Sequence, residues 1–391
     1  MKTSSSELPF VLRRLDHWVQ RGLARPASSG GEPVRELHLE LTHRCDSRCL
    51  MCHHWLLAEG HAGEEMSLEE IGRLVEGSRL LSGVETVVLS GGEPLLRPDA
   101  PQIAALLARR FPKARIGVLS NMLDEKRLFS SLERMRSLGV RPWLGTSLDG
   151  MRKNHDRLRG RPGAFYALIR NVVRLRRELP DVELGFCFTL TPFNYTDLGK
   201  ARVLARSLGC DLGAQFVVDH EGFEAPERFH WTPAALRGAR AQIQSVLSEL
   251  CREGRALERI LEGRESEDLG LWTKMLYWRH LGEFAGGASA CPPKRAPKRV
   301  LPDCLAGRRY AMFDPQGRLF FCPVNKHRKV GSAAGSSFDE LWTSSRARAE
   351  RRFIDSGRCA CWLQCTAYPA LERVLRAAFA KGPSKVPQVR A

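Results

Sequence analysis

The chain has 391 residues, an apolar fraction of 43% and a formal net charge of +17. This composition admits a sizeable core, and no apolar run reaches the length of about 18 residues that a membrane-spanning helix needs. No secretory h-region opens the sequence. A cytoplasmic protein is therefore expected, in which twelve cysteines serve metal or cluster ligation rather than disulfides. The basic residues are spread along helical stretches, and the one compact run, Lys294–Arg299, lacks interleaved aromatics. The charge therefore reads as a solvated basic surface and not as a nucleic-acid interface.

In chain order, residues 1–33 hold an amphipathic stretch over 8–23 followed by a Ser/Gly/Pro linker. Strand patterns follow at Glu36–Thr42, Val84–Ser90, Arg115–Ser120, Trp143–Leu148, Glu183–Leu190 and Leu212–Val218, with helical periodicity between them. Repeated strand–helix units predict a parallel sheet. Residues 34–252 are thus expected to form one α/β domain with its functional groups at the carboxyl ends of the strands. Thr232-Pro233 opens a further helix as cap and first-turn proline. Residues 253–303 read as a linker with some helix. A hairpin around the turn Asp314–Gly317 and helical stretches to about Phe379 make a smaller unit over 304–380, before a tail at 381–391 that reads as disordered.

The motif richest in chemistry is Cys45-x3-Cys49-x2-Cys52, directly after the first strand. Full ligation of a four-iron cluster takes four cysteines. Three on one short loop leave an iron open for chemistry. His43, His53 and His54 beside it keep a zinc site open as the alternative. At the tip of the second strand stand Gly91, Gly92, Glu93 and Pro94, where glycines permit close backbone approach and a carboxylate can accept from an ammonium group. Asn121 and Ser147 end the third and fourth strands. Asp219 ends the sixth and is the candidate base. Cys187, Cys210 and Cys251 read as buried small apolar residues.

These features together resemble the radical S-adenosylmethionine (radical SAM) enzymes, over about residues 36–220. The resemblance implies a partial (β/α)6 TIM-type barrel. In it Cys45, Cys49 and Cys52 hold a 4Fe-4S cluster, and the methionyl amino and carboxylate groups of S-adenosylmethionine chelate the open iron. Gly91, Gly92 and Glu93 hold the amino group. An electron from the reduced cluster then yields methionine and a 5′-deoxyadenosyl radical, which takes hydrogen from substrate. A flavodoxin- or ferredoxin-type donor is implied. Met51 departs from the aromatic residue often found before the third cysteine. The run Ser147–Gly150 with His155–Gly160 is similar to members that carry auxiliary clusters.

Cys304, Gly317, Cys322 and the Cys361-x3-Cys365 pair resemble parts of a SPASM domain. The cysteine count fits its shortened twitch form, with one auxiliary 4Fe-4S cluster on Cys304, Cys322, Cys361 and Cys365 and with Cys359 as an alternative to Cys361. Two roles are open to such a cluster: accepting a second electron, which makes the net reaction an oxidation, or ligating and orienting substrate, with a rearrangement as the alternative outcome. The resulting expectation is an enzyme acting on a small molecule such as a sugar, cyclitol or natural-product intermediate. A peptide- or protein-modifying maturase is the alternative, disfavoured by the short segment before the barrel. A non-catalytic zinc- or cluster-binding protein is the third reading, against which the Gly-Gly-Glu-Pro tip argues.

Overall fold

The computed structural model describes residues 33–52, 54–60, 65–218, 229–253, 269–287, 304–324, 328–356 and 362–379. They group into two compact units, Ser28–Phe229 with Ala306–Ser356, and His230–Leu305 with Gly357–Ala391. The amphipathic stretch 8–23, the basic run 294–299 and the tail lie outside the described residues.

The larger unit alternates strand and helix: β1 (Glu36–Thr42), α1 (His54–Gly60), α2 (Leu68–Val75), β2 (Thr86–Gly91), α3 (Ala100–Arg110), β3 (Arg115–Leu119), α4 (Glu125–Ser137), β4 (Trp143–Ser147), α5 (Arg152–Arg159), α6 (Ala164–Glu178), β5 (Leu184–Leu190), α7 (Leu198–Ser207) and β6 (Asp211–Phe216). Local chemistry sets the helix starts. Ser67 and Glu70 form a reciprocal capping box on α2, and the Asp124 side chain accepts from Arg127 N at 2.8 Å to begin α4.

The sheet runs β6-β5-β4-β3-β2-β1 and continues through β7 (Tyr310–Phe313), β8 (Arg318–Phe320) and β9 (Gly331–Ser332). Neighbouring strands from β6 to β1 are parallel. β6 and β9 end the order, so the barrel is partial and open. The hairpin read from the sequence does form, with β7 and β8 antiparallel. It also adds to the barrel sheet, because β7 pairs with β1 in parallel from Glu36↔Tyr310 to Leu39↔Phe313.

Burial alternates with the pleat. On β5, Leu184, Phe186, Phe188 and Leu190 are buried, while Gly185, Cys187 and Thr189 between them are half-buried. Each such buried Leu or Phe contributes about 1.5–3 kcal/mol by leaving water. On the opposite face, Trp143 and Leu119 cover the glycines of β3 and β4, and the open position lies on β5. Gly145 stands opposite Gly185, and a Cβ on Gly185 would meet nothing within 4 Å. Cys187 belongs to this face, opposite Ser147 and Gly213. That corrects its reading as a buried apolar residue: the β5 apolar set occupies the even positions. Cys210 is buried as expected, with Arg176 Nη2 3.1 Å from its Sγ.

The smaller unit contains the helices Pro233–Glu253, Leu269–Gly287 and Gln364–Phe379. Thr232 Oγ1 accepts from Ala235 N at 3.1 Å, as a cap residue should. The helix Leu269–Gly287 lies inside the span read as a linker with some helix. Its Trp272, Met275, Leu276, Tyr277, Trp278 and Leu281 are all buried. A helix that is apolar around its circumference has no stripe for periodicity to find. Tyr277 and Trp362 exchange hydrogen bonds, Tyr277 Oη to Trp362 O at 3.2 Å and Trp362 Nε1 to Tyr277 O at 3.1 Å.

Candidate active site at the carboxyl ends of the strands

The three-cysteine loop is clamped by backbone on two sides. On one side, Gly92 N donates to Thr42 O at 2.7 Å and Glu93 N to Arg44 O at 2.8 Å. A Cβ on Gly92 would fall 2.2 Å from Arg44 O. On the other side, Arg48 N donates to Arg159 O at 3.2 Å and Leu50 N to Leu158 O at 2.9 Å. Gly160 sits at φ +58°, and a Cβ there would lie 2.0 Å from Arg48 O. Only glycine fits that position without displacing the loop.

Asp46, inside the motif, anchors the loop to its neighbours. Asn121 Nδ2 donates to Asp46 Oδ1 at 2.6 Å, Arg127 Nη1 to Asp46 Oδ2 at 3.0 Å, and Arg161 Nη1 to Asp46 O at 3.0 Å. Burial opposes the Asp46 charge, but Arg127 and Asn121 outweigh it and hold the carboxyl below its ordinary range.

The thiols themselves are sheltered. Cys49 is buried, and Cys45 and Cys52 are half-buried. Burial pushes the Cys45 thiol up to about 12, partly offset by Ser47 N at 3.5 Å from its sulfur. Burial also raises Cys49, with Arg159 opposing. Arg159 Nη1 lies 3.6 Å from Cys49 Sγ, and its Nη2 donates to Asp149 Oδ2. Asp149 is fully buried and accepts from Thr189 N at 2.7 Å through Oδ1. Burial works against the Arg159 charge, yet Asp149 and Cys49 hold it above its ordinary value.

His155 completes this cluster. Its Nδ1 accepts from Asp149 N at 3.1 Å, so the ring is neutral, and burial pushes it down to about 3. Beside Cys52, His54 Nδ1 is 3.3 Å from the sulfur and His54 Nε2 is 2.9 Å from Glu40 Oε1.

The donor set fits an anionic iron–sulfur cluster. Coordination to iron deprotonates a thiol and so removes the burial penalty. Arg159 Nε is buried and has no hydrogen-bond partner among the described residues, and Arg159 Nη1 adds a fixed positive charge beside Cys49 that suits an anionic group. Among the described residues, no three His, Cys, Asp or Glu side chains converge on a single-ion site. A cluster instead spreads its cysteines over separate irons.

The strand tip is tied to its neighbours by backbone and side chain. Glu93 is 1% exposed and accepts from Asn121 N at 2.7 Å and Leu95 N at 3.1 Å. Burial pushes it up to about 7 against these donors. Gly91 and Gly92 let the tip approach the β1 end and the cysteine loop; a Cβ on Gly91 would lie 2.3 Å from Thr42 O. The tip therefore braces the loop and the end of β3. Ser147 is half-buried at the end of β4, on the face that carries Gly185.

Cys304 and Cys365 fall in the smaller unit and Cys322 in the larger. Cys322 is buried, with Val324 N donating to its sulfur at 3.3 Å. Cys365 is in the first turn of the helix Gln364–Phe379. Cys359, Cys361 and Asp219 lie outside the described residues. Sequence reasoning gave no role to Asp46, Asp149, Arg159 or Glu40, and named His54 only as a neighbour that keeps a zinc site open. Asp46 stands within the motif, and Arg159 within the run His155–Gly160, so the signal was present without a partner to explain it.

Comparison with known proteins agrees with this geometry. Residues 39–202 match the radical SAM superfamily, and residues 304–366 match the SPASM iron–sulfur cluster-binding domain. The chain carries a radical SAM domain and, towards its C-terminal end, a SPASM iron–sulfur cluster-binding domain. These domains imply S-adenosylmethionine, a 4Fe-4S cluster and auxiliary iron–sulfur clustering.

Among curated relatives, the Fe-coproporphyrin III synthase of Methanosarcina barkeri (strain Fusaro / DSM 804) is 30% identical over 159 residues. That match takes in 40% of this chain and 37% of the relative. The pre-heme d1 synthase of Dinoroseobacter shibae is 28% identical over 353 residues, 84% of this chain and 79% of the relative. Two solved structures share the fold. Native anSMEcpe with bound AdoMet has a TM-score of 0.57 at 15% identity, covering 88% of this chain and 97% of its own. Streptococcus suis SuiB bound to its precursor peptide SuiA has a TM-score of 0.55 at 15% identity, covering 82% of this chain and 67% of its own.

Proposed function

We propose that this enzyme takes a hydrogen atom from a small-molecule substrate bound on the Gly185 face of the partial barrel, and that the net reaction is an oxidation. The observation that carries the reading is the clamped Cys45/Cys49/Cys52 loop, whose three sheltered thiols meet Arg159 on one side and His54 on the other. Cluster and S-adenosylmethionine together supply a 5′-deoxyadenosyl radical when bound.

The chain's own residues do the rest. Cys45, Cys49 and Cys52 ligate. Gly91, Gly92 and Glu93 fix the loop beside the position of the cofactor's amino group, and Asn121 and Ser147 face its ribose or carboxylate. The sheltered loop excludes water from the reacting region. In this reading Cys304, Cys322, Cys361 and Cys365 would hold one auxiliary cluster, with Cys359 as the alternative to Cys361, and that cluster would supply an acceptor for the second electron. Asp219 takes the proton. A flavodoxin- or ferredoxin-type protein donates the first electron.

The small-molecule assignment is supported by the breadth of the match to the pre-heme d1 synthase. The open position at Gly185, where a Cβ would meet nothing within 4 Å, supports it too, since it leaves room on that face of β5. Anaerobic reconstitution followed by dithionite and S-adenosylmethionine tests the reading. Formation of 5′-deoxyadenosine is expected, accelerated by a protease-treated low-mass metabolite fraction. No 5′-deoxyadenosine overturns it. Acceleration by intact peptides alone replaces the small-molecule assignment with a peptide substrate.

A further inference from the structure

We infer that Arg159 is a positioning residue for the iron–sulfur centre: held by Asp149, its guanidinium donates to Cys49 Sγ and raises the reduction potential of the cluster ligated there. The inference rests on the proposed ligation by Cys45, Cys49 and Cys52.

Arg159 is not a surface cation that happens to approach a thiol. Its side chain is 14% exposed, and Asp149, its ion partner, is 0% exposed. Asp149 is fixed in turn by Thr189 N on its Oδ1 at 2.7 Å and by Asn194 Nδ2 on its carbonyl at 3.1 Å. The backbone around Arg159 is tied to the cysteine loop itself, through Arg48 N to Arg159 O and Leu50 N to Leu158 O. Rotation away from Cys49 would therefore break the loop clamp or strip Asp149 of its partner.

One of its nitrogens reaches a ligand-position sulfur and another is left without a partner: Nη1 is 3.6 Å from Cys49 Sγ, and Nε is buried with no partner among the described residues. Hydrogen bonds to cluster sulfur and nearby net charge are the protein's levers on cluster potential. Reduction adds one electron to the cluster and changes nothing else in the charge count. A fixed positive charge beside a ligating sulfur favours that state, and burial weakens the screening that water would provide. Asp149 offsets part of the charge at longer range, but the guanidinium edge, not the carboxylate, faces the sulfur.

The test is a potentiometric titration of the reconstituted full chain, followed by electron paramagnetic resonance. The signal read is the one that changes on adding S-adenosylmethionine, which belongs to the cluster with an open iron. In Arg159→Met, the ratio of reduced to oxidised cluster at the wild-type midpoint is expected to fall at least about tenfold, a shift of about 59 mV to more negative potential. Arg159→Lys keeps the charge without the planar fork and should fall between Met and wild type. Arg115→Met, which removes an exposed cation at the far end of β3, should leave the midpoint in place. An unchanged midpoint in Arg159→Met with full iron content overturns the inference alone. Loss of iron in both Arg159 variants also overturns it, and assigns Arg159 to folding of the loop. A wild-type signal that ignores S-adenosylmethionine overturns the ligation reading and this inference together.

Discussion

Cys45, Cys49 and Cys52 lie on one loop whose backbone is bonded from β2 on one side and from the end of α5 on the other. Cys304, Cys322 and Cys365 come from three separated segments that fall into two compact units. The first set is organised by local sequence and by glycines that let backbone meet backbone. The second has no such local organisation in the sequence. The contrast says where the first set is vulnerable: to a single methyl group at Gly92 or Gly160.

The largest expected effect is at the ligands of the first set. Cys49→Ala should abolish 5′-deoxyadenosine formation in an anaerobic assay with dithionite, while Cys210→Ala should not, since Cys210 is a buried packing residue near Arg176. Retained activity in Cys49→Ala would break the contrast at its root.

The clamp comes next. Gly160→Ala must place a methyl group 2.0 Å from Arg48 O at a φ of +58°. A cost of about 2 kcal/mol or more is expected, seen as a lower thermal midpoint and poor iron uptake. Gly139 is the control. It also has positive φ, +81°, but a Cβ there meets nothing within 4 Å. Gly139→Ala should lose about 1 kcal/mol and take up iron normally.

A smaller effect is expected at the strand tip. Glu93→Gln keeps one acceptor but loses one of the two that serve Asn121 N and Leu95 N. Denaturant unfolding should register about 1–2 kcal/mol. No change would mean that Glu93 does not brace the end of β3.

The smallest effect is one of pH. His155 is held at about 3 in the folded chain, against an ordinary value of 6.5. The unfolded chain therefore binds a proton that the folded chain refuses, and stability falls as pH drops below 6.5. Its contribution approaches about 1.4 kcal/mol per pH unit well below that value. Between about pH 7 and about pH 5.5, the wild type should lose about 1 kcal/mol more than His155→Asn in urea unfolding. Equal losses would place His155 in contact with solvent.

The same contrast explains what could be read from the sequence. Pleat alternation and β-branched runs marked the six parallel strands, and a spacing of seven residues marked the cysteine loop, because both patterns are local. The pairing of β7 with β1 joins residues far apart in the chain and leaves no local trace. Arg159 is separated from Cys49 by 110 positions, so its contact with the sulfur is visible only in the fold. Glu93 was legible as a carboxylate at a strand tip, but its burial and its backbone partners were not. The span 253–303 read as a linker with some helix, but the bounds of Leu269–Gly287 were not legible, because its buried apolar residues do not form one stripe.

One measurement bears most directly on the two-set account: iron content and 5′-deoxyadenosine formation in a Cys304→Ala/Cys322→Ala/Cys365→Ala variant reconstituted beside the wild type. The account predicts a fall from about eight irons per chain to about four, with 5′-deoxyadenosine still formed from S-adenosylmethionine. Full iron content in that variant, or loss of 5′-deoxyadenosine with four irons retained, would contradict it.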